Sequence, residues 1–147
     1  MPAVRTATVT WQGNLATGSG TVSAGTSELF TDLPVSWDSR TGDPEGHTSP
    51  EELLAAAHAS CFAMALSAGL TRAGTPPDHL HIEAEVTADR VDEKWTVVSS
   101  HLIVLGRAQG ASHEEFAAAA QDAKDNCPIS RALKGNVTLT VEPTLED

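Results

Sequence analysis

Thr48-Ser-Pro-Glu-Glu-Leu-Leu-Ala-Ala-Ala-His-Ala-Ser-Cys61-Phe-Ala-Met-Ala-Leu-Ser-Ala-Gly69 is the stretch on which the fold turns. It predicts a long helix. Ser49 is a good N-cap, and Pro50 suits the first helical position, where a missing N–H costs nothing. Glu51 and Glu52 put negative charge at the positive end of the dipole. Alanines carry the helix forward, and Gly69, followed by Gly74-Thr-Pro-Pro77, is expected to stop it. Leu53, Ala57, Ser60, Met64 and Ala68 share one side at helical spacing, with Leu54, Phe62 and Ala65 broadening the apolar surface. Almost nothing between Leu53 and Leu70 is charged, so the helix belongs in the middle of a fold or an interface. A cysteine at its centre, Cys61, is then either an inert core residue or a protected reactive one.

The second cysteine lies in Asp125-Asn-Cys-Pro-Ile-Ser-Arg-Ala-Leu133. Pro128 fits the first turn of a short helix, which makes Cys127 its N-cap, where the dipole favours a thiolate. Two cysteines so placed have the composition of a thiol redox pair.

Outward from these motifs the chain reads as α+β. Val4 to Trp11 alternates as a strand, Thr21-Val-Ser23 forms a second, and Glu28 to Leu33 a third, together an antiparallel meander. Val35 to His47 is dense in turn formers and reads as a loop. After the central helix, Leu80, Ile82, Ala84 and Val86 line one face of a strand. Arg90-Val-Asp-Glu-Lys94 turns the chain back into a longer strand, Trp95 to Leu105, with Val97, Leu102 and Val104 as core candidates. Ser112-His-Glu-Glu115 is a capping box opening a helix to about Asn126. The short helix after Pro128 ends near Lys134, and Val137 to Val141 is the last strand. No repeat or linker divides the sequence, so residues 1–147 are expected to form one domain.

The chain has 147 residues and a formal charge of −11, which argues against nucleic acid or an anionic membrane as partner. Two cysteines are too few for a secreted disulfide framework, and the N-terminus has no charged-then-apolar leader pattern. The expectation is cytoplasmic. His58, Ser60 and Ser67 interrupt the apolar run, which is not read as membrane-spanning.

Ser49-Pro-Glu-Glu-Leu-Leu-Ala-Ala-Ala-His-Ala-Ser-Cys-Phe-Ala-Met-Ala-Leu-Ser67 resembles the signature of the OsmC/Ohr family of organic hydroperoxide reductases. Asn126-Cys-Pro-Ile-Ser-Arg-Ala-Leu133 resembles that family's second cysteine motif. Trp11-Gln-Gly13, Gly18-Ser-Gly-Thr-Val22 and Ser39-Arg40 are similar to its OsmC branch. The resemblance implies an OsmC-like fold, antiparallel sheets packed around a long central helix carrying Cys61, in an intertwined homodimer.

The same resemblance implies roles. Cys61 is the thiolate that attacks peroxide, and Cys127 resolves the resulting sulfenic acid into a Cys61–Cys127 disulfide. Arg40 lowers the Cys61 pKa and holds the peroxide oxygens, and Glu51 orients the Arg40 guanidinium. Substrates are organic hydroperoxides, with hydrogen peroxide as a further candidate. The apolar lining is expected from Leu53, Leu54, Phe62, Met64 and Trp37. A lipoylated or thioredoxin-like dithiol is the implied reductant, and no metal, haem or flavin is implied.

Each residue also has a plainer reading. An acidic residue in a first helical turn is commonplace, and Arg40 could be an ordinary solvated loop residue. His58, three residues before Cys61, raises a cysteine hydrolase or acyltransferase as an alternative. A non-enzymatic redox switch is another. His79 and His81 share a strand face, but no third metal ligand has convincing spacing. Glu51 and Cys61 are ten residues apart, a rise of ~15 Å on a straight helix. A shared site therefore requires either a helix break or an antiparallel dimer that brings Glu51 of one subunit to Cys61 of the other.

Overall fold

The computed structural model describes every residue, Met1–Asp147. The chain divides into two compact units, Met1–Leu53 and Leu54–Asp147.

In the first unit, β1 (Ala7–Gln12), β2 (Ser19–Ala24) and β3 (Leu33–Val35) form an antiparallel sheet in the order β1-β2-β3. The meander is as expected, although the third strand lies later than Glu28–Leu33. Trp11 pairs with Gly20, and a Cβ on Gly20 would come within 2.8 Å of the Trp11 ring. Glycine at that position is what lets the indole lie across the neighbouring strand. Every residue of β1 is exposed.

The segment expected to be a loop contains a short helix, α1 (Trp37–Thr41). Its cause is local. Ser36 and Ser39 form a capping box, each side chain bonding the other's backbone N–H. Ser39 Oγ also lies 2.8 Å from the Thr48 carbonyl, which fixes α1 against the start of the long helix.

That helix, α2 (Pro50–Arg72), begins in the first unit and continues into the second without a break. Ser49 Oγ accepts the Glu52 N–H, confirming the N-cap. Gly69 does not end it. The stop comes at Gly74, whose φ of 84° suits glycine. Gly74 N–H bonds the Thr71 carbonyl and Thr75 N–H the Leu70 carbonyl, a Schellman closure.

In the second unit, β4 (His79–Val91), β5 (Lys94–Arg107) and β6 (Thr138–Leu145) form the sheet, in that order. β4 and β5 join through a two-residue turn in which Asp92 and Glu93 both have positive φ, as a twisted hairpin requires. The expectation of purely antiparallel sheets fails here, because β6 runs parallel to β5. A parallel return needs a crossover, and α3 (His113–Asn126) with α4 (Pro128–Leu133) supplies it. α3 carries the expected Ser112–Glu115 capping box.

The core of this unit joins Phe62, Leu66 and Leu70 of α2 to Leu102 and Val104 of β5 and to Phe116, Ala120 and Ala123 of α3. Gly106 makes the close approach possible, since a Cβ there would meet the Phe116 ring at 2.6 Å. The buried side of α2 is therefore His58-Phe62-Leu66-Leu70, one stripe rather than the nearly complete burial expected. Met64 is 73% exposed. By length and composition α2 could cross a bilayer, a test that core helices also pass, and this one supplies a principal stripe of the core.

Candidate active site

The first unit builds an arginine–carboxylate pair. Capping fixes α1, and α1 presents Arg40 to the first turn of α2. Arg40 Nε donates to Glu51 Oε1 at 2.7 Å, with the two side chains 28% and 11% exposed. The guanidinium also lies 5.6 Å from the centre of the Trp37 ring, within cation–π range. Arg40 is thus a helical residue with defined neighbours rather than a solvated loop residue. Glu51 is more than dipole decoration, whereas Glu52 is exposed and accepts from Thr48 Oγ1.

Beside this pair is a cavity of about 360 Å³, walled by Val9, Trp11, Val22, Val35, Trp37 and Leu53, with Arg40 on its edge. Of the residues expected to line an apolar pocket, Trp37 and Leu53 do so. Phe62 is fully buried in the core of the other unit, and Met64 is exposed. The lining residues of β1, β2 and β3 were not legible in the sequence, because alternation does not say which side of the sheet is lined and β1 is exposed throughout.

The second unit brings the cysteines together. Both are free thiols, Cys61 partly exposed on α2 and Cys127 fully buried as the N-cap of α4. Pro128 at the first position of α4 is as expected. The Ile129 N–H donates to Cys61 Sγ at 3.5 Å and the Ser130 N–H to Cys127 Sγ at 3.4 Å. Consecutive amides at one helix start therefore each address a sulfur.

Within the second unit, the surroundings of Cys61 do not on balance favour its thiolate. Burial pushes the thiol above its ordinary value, and the neighbouring Cys127 adds to this. The Ile129 amide pulls the other way and is the one effect that favours the thiolate.

His58 does not pair with Cys61. Its ring is fully buried, with Nδ1 2.7 Å from Ser100 Oγ and Nε2 2.8 Å from Ser130 Oγ. Both nitrogens are thus engaged by serines, which removes the geometry of a Cys61–His58 hydrolytic dyad. Ser130 was legible as the third residue after an N-cap cysteine; nothing in the sequence marked Ser100. No cluster of three His, Cys, Asp or Glu side chains is arranged to hold a metal ion.

A family described as OsmC-like protein matches residues 42–142. Peroxiredoxin OsmC of Escherichia coli strain K12 is 37% identical over 129 residues, 88% of this chain and 89% of that protein. The organic hydroperoxide resistance protein OhrA of Bacillus subtilis strain 168 is 30% identical, covering 78% of this chain and 79% of that protein. Among solved structures, Bacillus subtilis OhrB superposes with a TM-score of 0.71 at 24% identity, over 95% of this chain and 98% of that one. The OsmC-like protein of Mycoplasma pneumoniae gives a TM-score of 0.75 at 15% identity, over 100% of both chains.

Proposed function

The chain belongs to the OsmC-like protein family, and on that footing we propose that it is a thiol peroxidase reducing organic hydroperoxides through a Cys61–Cys127 disulfide. The observation that carries this reading is the pairing of a partly exposed Cys61 with a sealed Cys127 at the start of α4. It is supported by relatives named peroxiredoxin and organic hydroperoxide resistance protein.

In the first step the Cys61 thiolate attacks the peroxide. An S–O bond forms, the O–O bond breaks, and the departing alkoxide takes a proton to leave as alcohol. Cys127 then attacks the Cys61 sulfenic acid, the S–O bond breaks, and water leaves. A dithiol, from a lipoylated or thioredoxin-like protein, returns the disulfide to two thiols by exchange. Hydrogen peroxide would enter the same cycle without the apolar contacts of an organic substrate.

Cys61 needs a cation to offset the burial that raises its pKa. We assign that role to Arg40, oriented by Glu51 and backed by the apolar cavity, which would receive the organic group of the substrate. Ten residues of continuous helix amount to a rise of ~15 Å, so a glutamate cannot serve the sulfur on its own helix. The reading therefore includes a homodimer in which Arg40 and Glu51 of one subunit complete the site at Cys61 of the other. The exposed apolar side of α2, including Met64, and the wholly exposed β1 favour such a second copy. The compartment proposed is the cytoplasm, whose thiol pools would recycle the disulfide.

The test is consumption of cumene hydroperoxide with dihydrolipoamide as reductant, on the native protein and on Cys61→Ser and Cys127→Ser. Turnover by the native chain and none by Cys61→Ser is expected. Ester hydrolysis surviving in Cys127→Ser would point to an acyl-transfer enzyme. Absence of peroxide turnover with excess dithiol would leave a redox switch.

A further inference from the structure

Cys127 is sealed from bulk solvent, so a proton leaving its sulfur needs an acceptor within the protein. It has a polar path instead. Ser130 Oγ lies 3.1 Å from Cys127 Sγ and 2.8 Å from His58 Nε2, and His58 Nδ1 lies 2.7 Å from Ser100 Oγ. The four side chains come from α2, β5, α4 and the turn before α4, and all are fully buried. Three polar groups in a hydrophobic core are costly unless they satisfy one another, and apolar residues would fill the space at no such cost. The line leads from a sulfur to an imidazole.

We propose that Ser130 and His58 form a proton relay that deprotonates Cys127 as it attacks the Cys61 sulfenic acid. This rests on the reading of Cys127 as the resolving thiol. The Cys127 S–H proton passes to Ser130 Oγ while the Ser130 O–H proton passes to His58 Nε2. The electron pair left on Cys127 Sγ forms the S–S bond, and the Cys61 S–O bond breaks with its pair on oxygen. That oxygen takes a proton from solvent at the partly exposed Cys61 and leaves as water. His58 returns its proton to solvent in a later opening, so thiol plus sulfenic acid give disulfide plus water. The relay uses the tautomer with its proton on Nδ1, donated to Ser100 Oγ, which leaves Nε2 as the acceptor.

Ser130 touches the reacting sulfur and is a catalytic residue; His58 acts through it and is a positioning residue. The ring begins neutral, since burial alone lowers its pKa. The groups facing it are the Ser100 hydroxyl from β5 and the Ser130 hydroxyl from α4, with Cys127 beyond, and no charged side chain bonds to it.

The test separates the two chemical steps. One equivalent of cumene hydroperoxide is mixed with reduced protein, and Cys61 sulfenic acid and the Cys61–Cys127 disulfide are quantified over time by dimedone trapping and mass spectrometry. In Ser130→Ala and His58→Gln the disulfide step is expected to slow by about 100-fold, with sulfenic acid accumulating. Ser130→Thr, which keeps the hydroxyl, recovers most of the rate. The native disulfide step loses rate as His58 protonates at low pH, and His58→Gln lacks that limb. Ser130→Ala removes one oxygen and carries the test if His58→Gln does not fold. Disulfide formation at the native rate in both variants overturns the relay. Equal slowing in Ser130→Ala and Ser130→Thr, with an unaltered pH profile, also overturns it and leaves a packing role. A native protein that forms sulfenic acid but no disulfide contradicts the underlying two-cysteine reading instead.

Discussion

Arg40 Nε lies 2.7 Å from Glu51 Oε1, joining the last turn of a five-residue helix to the first turn of the longest one. The contact fixes the direction of the guanidinium fork, and with it the place where a nearby anion gains most. On the proposed reading, Cys61, pushed upward by burial, is the group in need of such a cation.

The first prediction follows. Arg40→Ala should raise the pH midpoint for Cys61 alkylation by iodoacetamide by about one unit and slow peroxide reduction near neutral pH by about tenfold. Arg40→Lys keeps the charge but loses the planar fork, so it should remain clearly slower than the native protein. An unchanged alkylation profile in Arg40→Ala would confine Arg40 to a structural role.

A second prediction concerns the assembly. Cys61→Ser and Glu51→Ala should each be inactive alone. If sites are shared between subunits, refolded heterodimers hold one intact site and one doubly damaged one, and part of the activity returns. A mixture that stays inactive despite demonstrated subunit exchange sinks the shared-site reading.

His58 supplies the third. Burial holds its pKa below the ordinary 6.5, so the folded state prefers the neutral ring while the unfolded chain binds a proton near that value. Stability is therefore full above about pH 6.5 and is lost as pH falls from there toward the folded value. The Tm of the native protein should drop faster than that of His58→Gln between about pH 7 and about pH 5. Parallel curves would mean that the ring titrates normally.

Much of this was legible in the sequence, and the exceptions share a cause. Ser49, Pro50, Ser112 and Pro128 mark helix starts through chemistry within four residues, and all four held. Gly69 misled because one helical glycine costs only about 1 kcal/mol relative to alanine. Burial of Leu66 and Leu70 on either side of it outweighs that. The buried face of α2 was not singled out, because alanines and serines on all sides leave little amphipathic contrast; only the positions of Phe62, Leu66 and Leu70 reveal it. α1 was hidden among turn formers, though Ser36 and Ser39 had the spacing of a reciprocal cap. The parallel β5–β6 pairing is a property of topology, and its one trace was a pair of helices between two strands. Of the candidate site residues, Arg40, Glu51, Cys61 and Cys127 were named from motifs, while Ser100 needed the fold to bring it to His58.

The central claim is that Cys61 attacks peroxide and Cys127 resolves it, and mass spectrometry of the peroxide-treated protein measures this most directly. The native chain should show one intramolecular Cys61–Cys127 disulfide, and Cys127→Ser a sulfenic or over-oxidised Cys61. A sulfenic acid trapped on Cys127 in Cys61→Ser, with peroxidase activity retained, would contradict the account.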